Sequence, residues 1–539
     1  MKSIAMNAEI TSLNPFHTES APTFDLFVIG GGINGVGIAN DATGRGLSVA
    51  LVEQADLASA TSSASSKLIH GGLRYLEQYE FRLVRDALAE RETLLAKAPH
   101  LIKQMRFILP HRPHLRPAWM IRIGMFLYDH LSTRSRLAGS RTLQLDANDP
   151  SNPLEASITT GFEYSDCQVD DARLVVANAI QARDQGALVL TRTRCQRAER
   201  KDGFWHIAVE QLDSGQVRHF RARALVNAAG PWAQQFIEEN LHARSPRHVR
   251  LIKGSHFVVP RIHEGNQAYI LQNEDHRIVF VIPYNELFSL VGTTDKEYHG
   301  DPREVQIDAE EEQYLLDVVN RHFKHQIESK DILWRYSGVR PLCDDESDSP
   351  SAITRDYTLE IETDIHQQLP LLSVFGGKLT TYRKLAESAL HMLQPHFPQM
   401  EPEWTESTPL PGGNIEHDFE EWLGLLTKRW PWMPNHMLRR MAHAYGTRIQ
   451  MILGNATKLS DLGCVIEGEL SEAELRYLVT EEWAQTEEDL LWRRSKLGLF
   501  LSEAGVATLR HLLEEHLPAW KEAINQGPQA SAVRLAQRS

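Results

Sequence analysis

Residues Thr61 to Glu77, TSSASSKLIHGGLRYLE, crowd five early hydroxyls, a lysine, a histidine, a glycine pair and an Arg-Tyr pair into seventeen positions. The run has neither helical nor strand periodicity. Ordering such a segment costs conformational entropy, so it either grips a ligand or is a solvated linker. Thr61, Ser62, Ser63, Ser65 and Ser66 can hydrogen-bond phosphates or the edge of a flat ring. Gly71-Gly72 lets the backbone approach beneath such a ring. His70 has a side chain that titrates near neutrality, which suits a general acid or base, or equally a structural histidine. Ser-rich runs are more often linkers, but linkers rarely continue into KLIHGGLRYLE.

The preceding elements give that loop something to act on. FDLFVI (Phe24 to Ile29) is a short apolar run ending in glycine, the pattern of a buried strand. Gly30, Gly32 and Gly35 then form G-x-G-x-x-G at the entrance to a helix of small residues, and Ser48 to Val52 is a second strand closed by Glu53. The first glycine permits the sharp turn, the second admits a pyrophosphate, and the third lets the helix pack close with its amides aimed at the phosphates. An acid at the end of the second strand can accept hydrogen bonds from ribose hydroxyls and repels a 2′-phosphate. Together these predict a dinucleotide-binding unit for FAD or NAD rather than NADP.

A second glycine pair at a helix start, Gly376-Gly377 in SVFGGKLTTYRK, is either a flavin-type contact, which points to FAD over NAD, or an ordinary helix N-terminus. A helix N-terminus there can stabilise negative charge on a reduced isoalloxazine. A Walker A reading fails because Leu372 stands where that motif needs glycine. Gly230, in ALVNAAGPWA, is another glycine between strand and helix.

Further along, EFRLVRDALAERETLLAKA places Phe81, Val84, Leu88 and Leu95 on one helical face, and DDARLVVANAIQARDQG reads as a helix with acids at its N-terminus. Two alternating runs around Asp213-Ser214-Gly215 predict a hairpin. Short strands separated by turn residues over 250–300 (GSHFVVP, YILQNE, RIVFVIP, FSLVGTTD) predict an antiparallel sheet distinct from the parallel one. A Pro- and Gly-bearing stretch over 396–413 reads as a linker into a helical region, 414–539, where Ser471 and Glu474 suggest a capping box and Val506, Leu509, Leu512 and Leu513 form a stripe. The expected architecture is an α/β cofactor domain over 24–395 with an inserted antiparallel sheet (mainly about 80–160 and 240–345), then an all-α C-terminal domain.

With 539 residues the chain exceeds one ordinary core. Its formal charge of −14 argues against a general nucleic-acid binder. Cys167, Cys195, Cys343 and Cys464 show no zinc spacing and read as isolated thiols of a reducing compartment, and no metal site is expected. Residues 1–23 lack an apolar core and read as a disordered extension, and no apolar run reaches the length of a membrane span.

The motifs IGGGINGVGIANDATGRGLSVALVE, SSASSKLIHGGLRYLE, GFEYSDCQVDDARLV, IKGSH, YSGVRPLCDDESDSPSAITRDYTLE and FGGKLTTYRKLAE closely resemble the aerobic, FAD-dependent glycerol-3-phosphate dehydrogenases of bacteria. The similarity runs from about Phe24 past Leu385 and continues, more weakly, through the helical region. It implies a substrate domain folded like that of D-amino-acid oxidases, and oxidation of sn-glycerol 3-phosphate to dihydroxyacetone phosphate. It further implies hydride transfer from C2 to flavin N5 and delivery of electrons to ubiquinone at the cytoplasmic face of a membrane. Arg74, Tyr75, Arg355, Lys378 and Thr381 fall on the motifs as donors to the substrate phosphate. Arg340 is an alkoxide stabiliser or phosphate ligand, and His70 the chemically natural proton acceptor. Around the cofactor the expected set is Gly30, Gly32, Gly35, Glu53, Thr61, Ser62, Ser63, Ser66, Lys67, Gly71, Gly230, Gly376 and Gly377.

Between Arg106 and Arg141 seven arginines face a single acid, Asp129, and interleave with Trp119, Met120, Ile121, Ile123, Met125, Phe126 and Leu127. Such a segment suits an anionic lipid surface and a lipid-soluble quinone, or a core helix with solvated flanks. Trp–Arg clusters near the C-terminus, KRWPW and LLWRRSK, can join a homodimer or lipid surface, with packed core and rim as the default. An oxygen-using amine oxidase of the same fold and a non-catalytic flavin-binding scaffold are the competing readings.

Overall fold

The computed structural model describes residues 21–132, 136–343, 357–364 and 369–525. A parallel sheet runs in the order Leu188–Leu190, Val49–Val52, Thr23–Ile29, Gln216–Asn227, Pro370–Phe375, with Thr358–Thr363 antiparallel at its edge. Strand Thr23–Ile29 is apolar at consecutive positions because both of its faces are covered. Leu26 and Val28 enter a core shared with helices Ile33–Gly44, Asp171–Asp184 and Tyr382–Leu393. Phe27 and Ile29 enter a second core with Trp205, Ile207 and Phe220 of an antiparallel meander. The meander turns at the expected Asp213-Ser214-Gly215 hairpin.

The second sheet holds ten strands and collects chain from two stretches, Leu68–Ile69 to Thr160–Val169 and Val249–Pro260 to Trp334–Cys343. It is antiparallel except where Ala268–Gln272 runs alongside Ile102–Pro110. The four strands expected in 250–300 are present as Val249–Pro260, Ala268–Gln272, Ile278–Tyr284 and Phe288–Gly292. The arginine-rich segment is two things rather than one. Its start belongs to the interior strand Ile102–Pro110, with Phe107 fully buried, and only Ala118–His130 is a surface helix.

Helix Phe81–Lys97 buries Val84, Leu88 and Leu95, but Phe81, at its first turn, is exposed. The expected linker is packed: Trp404 Nε1 donates to Asp41 O at 3.1 Å, Gln181 Nε2 to Pro409 O at 2.9 Å, and Lys97 Nζ to the Thr405 and Thr408 carbonyls. Beyond it lie helices Phe419–Arg429, Asn435–Tyr445, Ile449–Leu453, Glu472–Glu482 and Glu503–Asn525 around one core that includes Leu509, Leu512 and Leu513. Ser471 Oγ caps the Glu474 amide at 3.2 Å, but the Glu474 carboxylate goes to Arg440 and Tyr445 instead of closing a box. Both Trp–Arg clusters are packed: Trp430 is buried and Trp492 stacks on Trp334, with ring centroids 4.5 Å apart.

Candidate active site

The turn after strand Thr23–Ile29 is shaped by close approach. Gly30 has φ of +113°, and a Cβ on it would lie 2.3 Å from Ala228 O. A Cβ on Gly35 would lie 2.0 Å from Gly30 O, so the helix can seat this deeply only with glycine there. Ser62 Oγ accepts from Ile33 N at 3.0 Å, which puts a hydroxyl at the positive end of that helix.

Glu53 accepts from Gly31 N at 2.7 Å and Ala55 N at 2.8 Å. Burial pushes its carboxyl up, against the Ala55 and Gly31 amides that hold it down. Each oxygen keeps a lone pair for a ribose hydroxyl. Asn34, in the first turn of the helix, donates from Nδ2 to Gly376 O at 3.0 Å, joining the two glycine turns across 342 residues. Its Oδ1 is buried without a hydrogen-bond partner among the described residues.

Between the two sheets lies a cleft of about 1630 Å³ including its open mouth. One wall comes from the loop, with Thr61, Ser62, Ser65, Ser66, His70, Gly72 and Tyr75; the turn Gly377 to Thr380 closes beside it. A second wall, joined to the first, carries Gly254, His256, Thr293, Asp295, Gly338 and Arg340, and the apolar lining is Phe107, Ile270, Ile278 and Phe280.

The loop is laced to strand Trp334–Cys343. Thr61 Oγ1 donates to Val339 O at 2.7 Å, Tyr336 Oη donates to Ser65 O at 2.8 Å, and a Cβ on Gly338 would meet Ala64 Cβ at 2.6 Å. That lacing fixes Arg340 one residue beyond the bridge. Arg340 Nη1 pairs with Asp295, and Nη2 donates to Thr293 Oγ1 at 3.1 Å. His70 N donates to Thr380 Oγ1 at 3.4 Å, and the Lys378 ammonium lies 4.1 Å from the centroid of the Tyr75 ring.

Several expected residues have other employment. Lys67 does not line the cleft: it is buried, with Nζ donating to Ser63 O and both oxygens of Asp171. Ser63 turns its hydroxyl to Ala60 O. Gly71 is buried, its amide donating to Tyr128 Oη at 2.9 Å and Asp166 Oδ1 at 3.2 Å, and Gly72 faces the cleft instead. Thr381 is buried, and Thr380 takes the lining position. Gly230 opens a short turn two residues after Ala228, on which Gly30 closes. Gly376 supplies the carbonyl that receives Asn34. Arg74 has its backbone in the turn Leu73–Gln78 while its side chain, like all of Arg355, lies outside the described residues.

Sequence reasoning passed over Asn34, His256, Thr293, Asp295 and Thr380. His256 is buried, its Nε2 is 2.9 Å from Ser66 Oγ, and its ring stacks on Tyr336 at 4.9 Å. Burial, with Arg340 and Lys67 nearby, holds its pKa well below the ordinary histidine value, so the imidazole is neutral. His256 and Thr293–Asp295 stand in IKGSH and VGTTD, stretches whose strand pattern hid their side-chain chemistry.

A glycine-shaped turn at a helix N-terminus, a ribose-ready acid and a second glycine turn over a cleft define a flavin-dependent oxidoreductase. The family of FAD-dependent oxidoreductases matches residues 25–383, and the C-terminal domain of alpha-glycerophosphate oxidase matches residues 404–521. The glycerol-3-phosphate dehydrogenase of Pseudomonas aeruginosa is 60% identical over 505 residues, covering 93% of this chain and 98% of its own. The D-erythritol 1-phosphate dehydrogenase of Brucella abortus is 51% identical over 483 residues, covering 89% and 96%. The solved structure of the Bacillus halodurans glycerol-3-phosphate dehydrogenase complexed with FAD superimposes with a TM-score of 0.72 at 25% identity, covering 96% of this chain and 94% of that one. The chain belongs to the FAD-dependent oxidoreductases and, within them, to the glycerol-3-phosphate dehydrogenases.

Proposed function

We propose that the chain oxidises sn-glycerol 3-phosphate to dihydroxyacetone phosphate and passes the electrons to a membrane quinone. The observation that carries this reading is the convergence of His70, Tyr75, Lys378 and Arg340 on one cleft beside the glycine-shaped helix N-terminus. FAD, when bound, supplies the two-electron acceptor for the hydride leaving C2 of the substrate. Gly32, in the turn that Gly30 and Gly35 shape, would leave room for its pyrophosphate near the N-terminus of helix Ile33–Gly44, Glu53 would accept from its ribose, and the Gly376-Gly377 turn with Asn34 would lie toward its ring.

Lys378 and Tyr75 bind the substrate phosphate, with Arg74 and Arg355 as further donors. Packing against the Tyr75 ring orients the ammonium and lowers the entropy lost when it grips an anion. His70 accepts the proton of the C2 hydroxyl. Arg340 pairs with Asp295 and Thr293, which presents a fixed guanidinium edge to the developing alkoxide. The apolar lining of Phe107, Ile270, Ile278 and Phe280 keeps water from the reacting carbon.

The acceptor reading rests on helix Ala118–His130. Trp119, Ile123 and Phe126 are 63%, 51% and 55% exposed on one stripe, while Met125 and Tyr128 of the same helix are buried. Arg116 is exposed just ahead of the stripe, while Arg122 is half-buried and donates to Ser140 Oγ at 2.7 Å, so Arg116 sets positive charge beside the apolar area, as suits anionic lipid. No described helix is long and apolar enough to cross a membrane. Purified protein should be yellow and bleach anaerobically with glycerol 3-phosphate. Bleaching by an amino acid or by D-erythritol 1-phosphate alone, or no bleaching at all, would overturn the assignment.

A further inference from the structure

The C-terminal unit reaches the cofactor-binding loop through buried charge. Asp56, three residues beyond Glu53, is buried and accepts from Arg493 Nε at 2.7 Å and from Arg494 Nη1 and Nη2 at 2.9 and 2.8 Å. Arg493 and Arg494 close the π-helical turn Asp489–Arg494. Arg494 is fully buried, and its Nη2 also donates to Glu482 O at 2.6 Å. Asp489, at the start of that turn, accepts from Arg493 Nη2 at 2.5 Å and from Arg192 Nη2 at 2.6 Å. Arg192 N in turn donates to Ala55 O at 2.9 Å, and Thr193 N to Glu53 O at 2.8 Å.

The held loop closes on the glycine turn itself. Ala58 N donates to Gly31 O at 3.1 Å, and Leu57 Cδ2 lies 2.9 Å from where a Gly31 Cβ would stand. Leu57 and Ala58, directly after Asp56, thus grip Gly31, whose amide orients Glu53. π-turns inside helical segments are uncommon and often mark functional positions. Here the turn brings two consecutive arginines onto one carboxylate.

We propose that the C-terminal unit is a clamp for FAD retention, in which Arg493 and Arg494 act as positioning residues. By fixing Asp56 they fix residues 53–58 against Gly31, and so preorganise the ribose and pyrophosphate end of the cofactor site. Binding linkage is reciprocal: if docking of the turn favours FAD, bound FAD favours docking of the turn. The proposal rests on FAD as cofactor and not on the substrate assignment.

The test uses the full chain, stripped of FAD and retitrated. Arg494→Met should raise the FAD dissociation constant at least tenfold, and Asp56→Asn likewise. Arg183→Met breaks another contact between the two units, that of Arg183 with the Glu481 carbonyl and carboxylate, and should leave FAD affinity within twofold. Equal loss of FAD affinity in Arg183→Met, or unchanged affinity in Arg494→Met, overturns the clamp. Should the buried variants fail to fold, hydrogen exchange on the wild-type chain decides: removing FAD must accelerate exchange across residues 489–494. Acceleration confined to residues 53–67 refutes the proposal. Bleaching by substrate plays no part, so failure here is distinct from failure of the proposed reaction.

Discussion

Replacing Asp171 with asparagine isolates what Lys67 does. In the intact chain Lys67 Nζ donates to Asp171 Oδ1 at 2.9 Å and Oδ2 at 3.0 Å, and the ammonium is buried beside Tyr336, 5.0 Å from its ring centroid. Removing one partner of a buried pair costs about 3–5 kcal/mol, because the other charge is left uncompensated. Each kcal/mol moves the melting temperature of a large domain by about 2–4 °C, so Asp171→Asn should melt on the order of 10 °C lower. Lys67→Met should lose less. The Asp171 carboxylate keeps the Ser65 hydroxyl at 2.7 Å, the Ser65 amide at 3.3 Å and the Ala172 amide at 2.9 Å. The double variant removes both charges and should recover most of the loss, giving a coupling energy of a few kcal/mol, on the order of the single-partner cost. Calorimetry of the FAD-loaded full chain, with the flavin spectrum recorded alongside, measures all three. Strictly additive losses would refute the ion-pair account. A Lys67→Met protein that sheds FAD yet melts like wild type would instead put Lys67 on the cofactor.

Other consequences are more direct. His70→Ala should lower turnover by roughly 10²–10⁴-fold, the usual contribution of a positioned base, while FAD content stays unchanged; near-wild-type turnover across the pH range removes His70 from that role. Burial pushes His100, His263, His322 and His443 down to about 3, 4, 4 and 2 from the ordinary 6.5. The unfolded chain therefore binds more protons than the folded one below that ordinary value. Stability is intact above it and falls with acidification by about 1.4 kcal/mol per pH unit for each histidine, until its folded pKa is reached. Urea midpoints at pH 7.5 and 5.5 should differ steeply, and a flat profile contradicts neutral burial. Trp119→Ser with Phe126→Ser should abolish co-sedimentation with anionic phospholipid vesicles without changing substrate-driven bleaching; unaltered sedimentation sinks the docking role of helix Ala118–His130.

The cofactor end was legible because its constraints are local. Gly30, Gly35 and Glu53 lie within one strand–helix–strand unit, where spacing and geometry are the same statement. The cationic side of the cleft was legible only through family motifs, since Tyr75, Arg340 and Lys378 meet there from three distant stretches. Where sequence reasoning slipped, the cause was a partner remote in the chain. Nothing near Lys67 announces that Asp171 will neutralise it, and nothing near Gly71 announces Tyr128 and Asp166 beneath its amide. Thr380 and Thr381 are adjacent, and which one faces the cleft depends on the 3₁₀ turn Leu379–Thr381 that precedes helix Tyr382–Leu393. The linker looked loose because proline and glycine mark irregular backbone; Lys97, on another helix, satisfies its carbonyls.

Two consecutive carboxylates show how the parts are held to one another. Asp170 caps helix Asp171–Asp184 by accepting from Arg173 N at 3.1 Å, and it receives Lys496 of the C-terminal unit at 2.9 Å. Asp171, the next residue, receives Lys67 and Ser65 of the cleft loop. Both acids sit at the positive end of a helix dipole, which offsets part of the cost of burying Asp171 and half-burying Asp170. Well-packed apolar groups would stabilise such a junction at least as well, so stability alone does not account for charge there. Charge does fix register: each ammonium has a single geometry in which its carboxylate satisfies it, and a slipped interface leaves buried charges unpaired. The one helix turn that carries Asp170 and Asp171 therefore aligns the cleft loop and the C-terminal unit on the cofactor sheet together. A cleft whose polar side chains come from separate stretches, the loop over 61–77, Arg340 and Lys378, needs that alignment more than it needs additional apolar area.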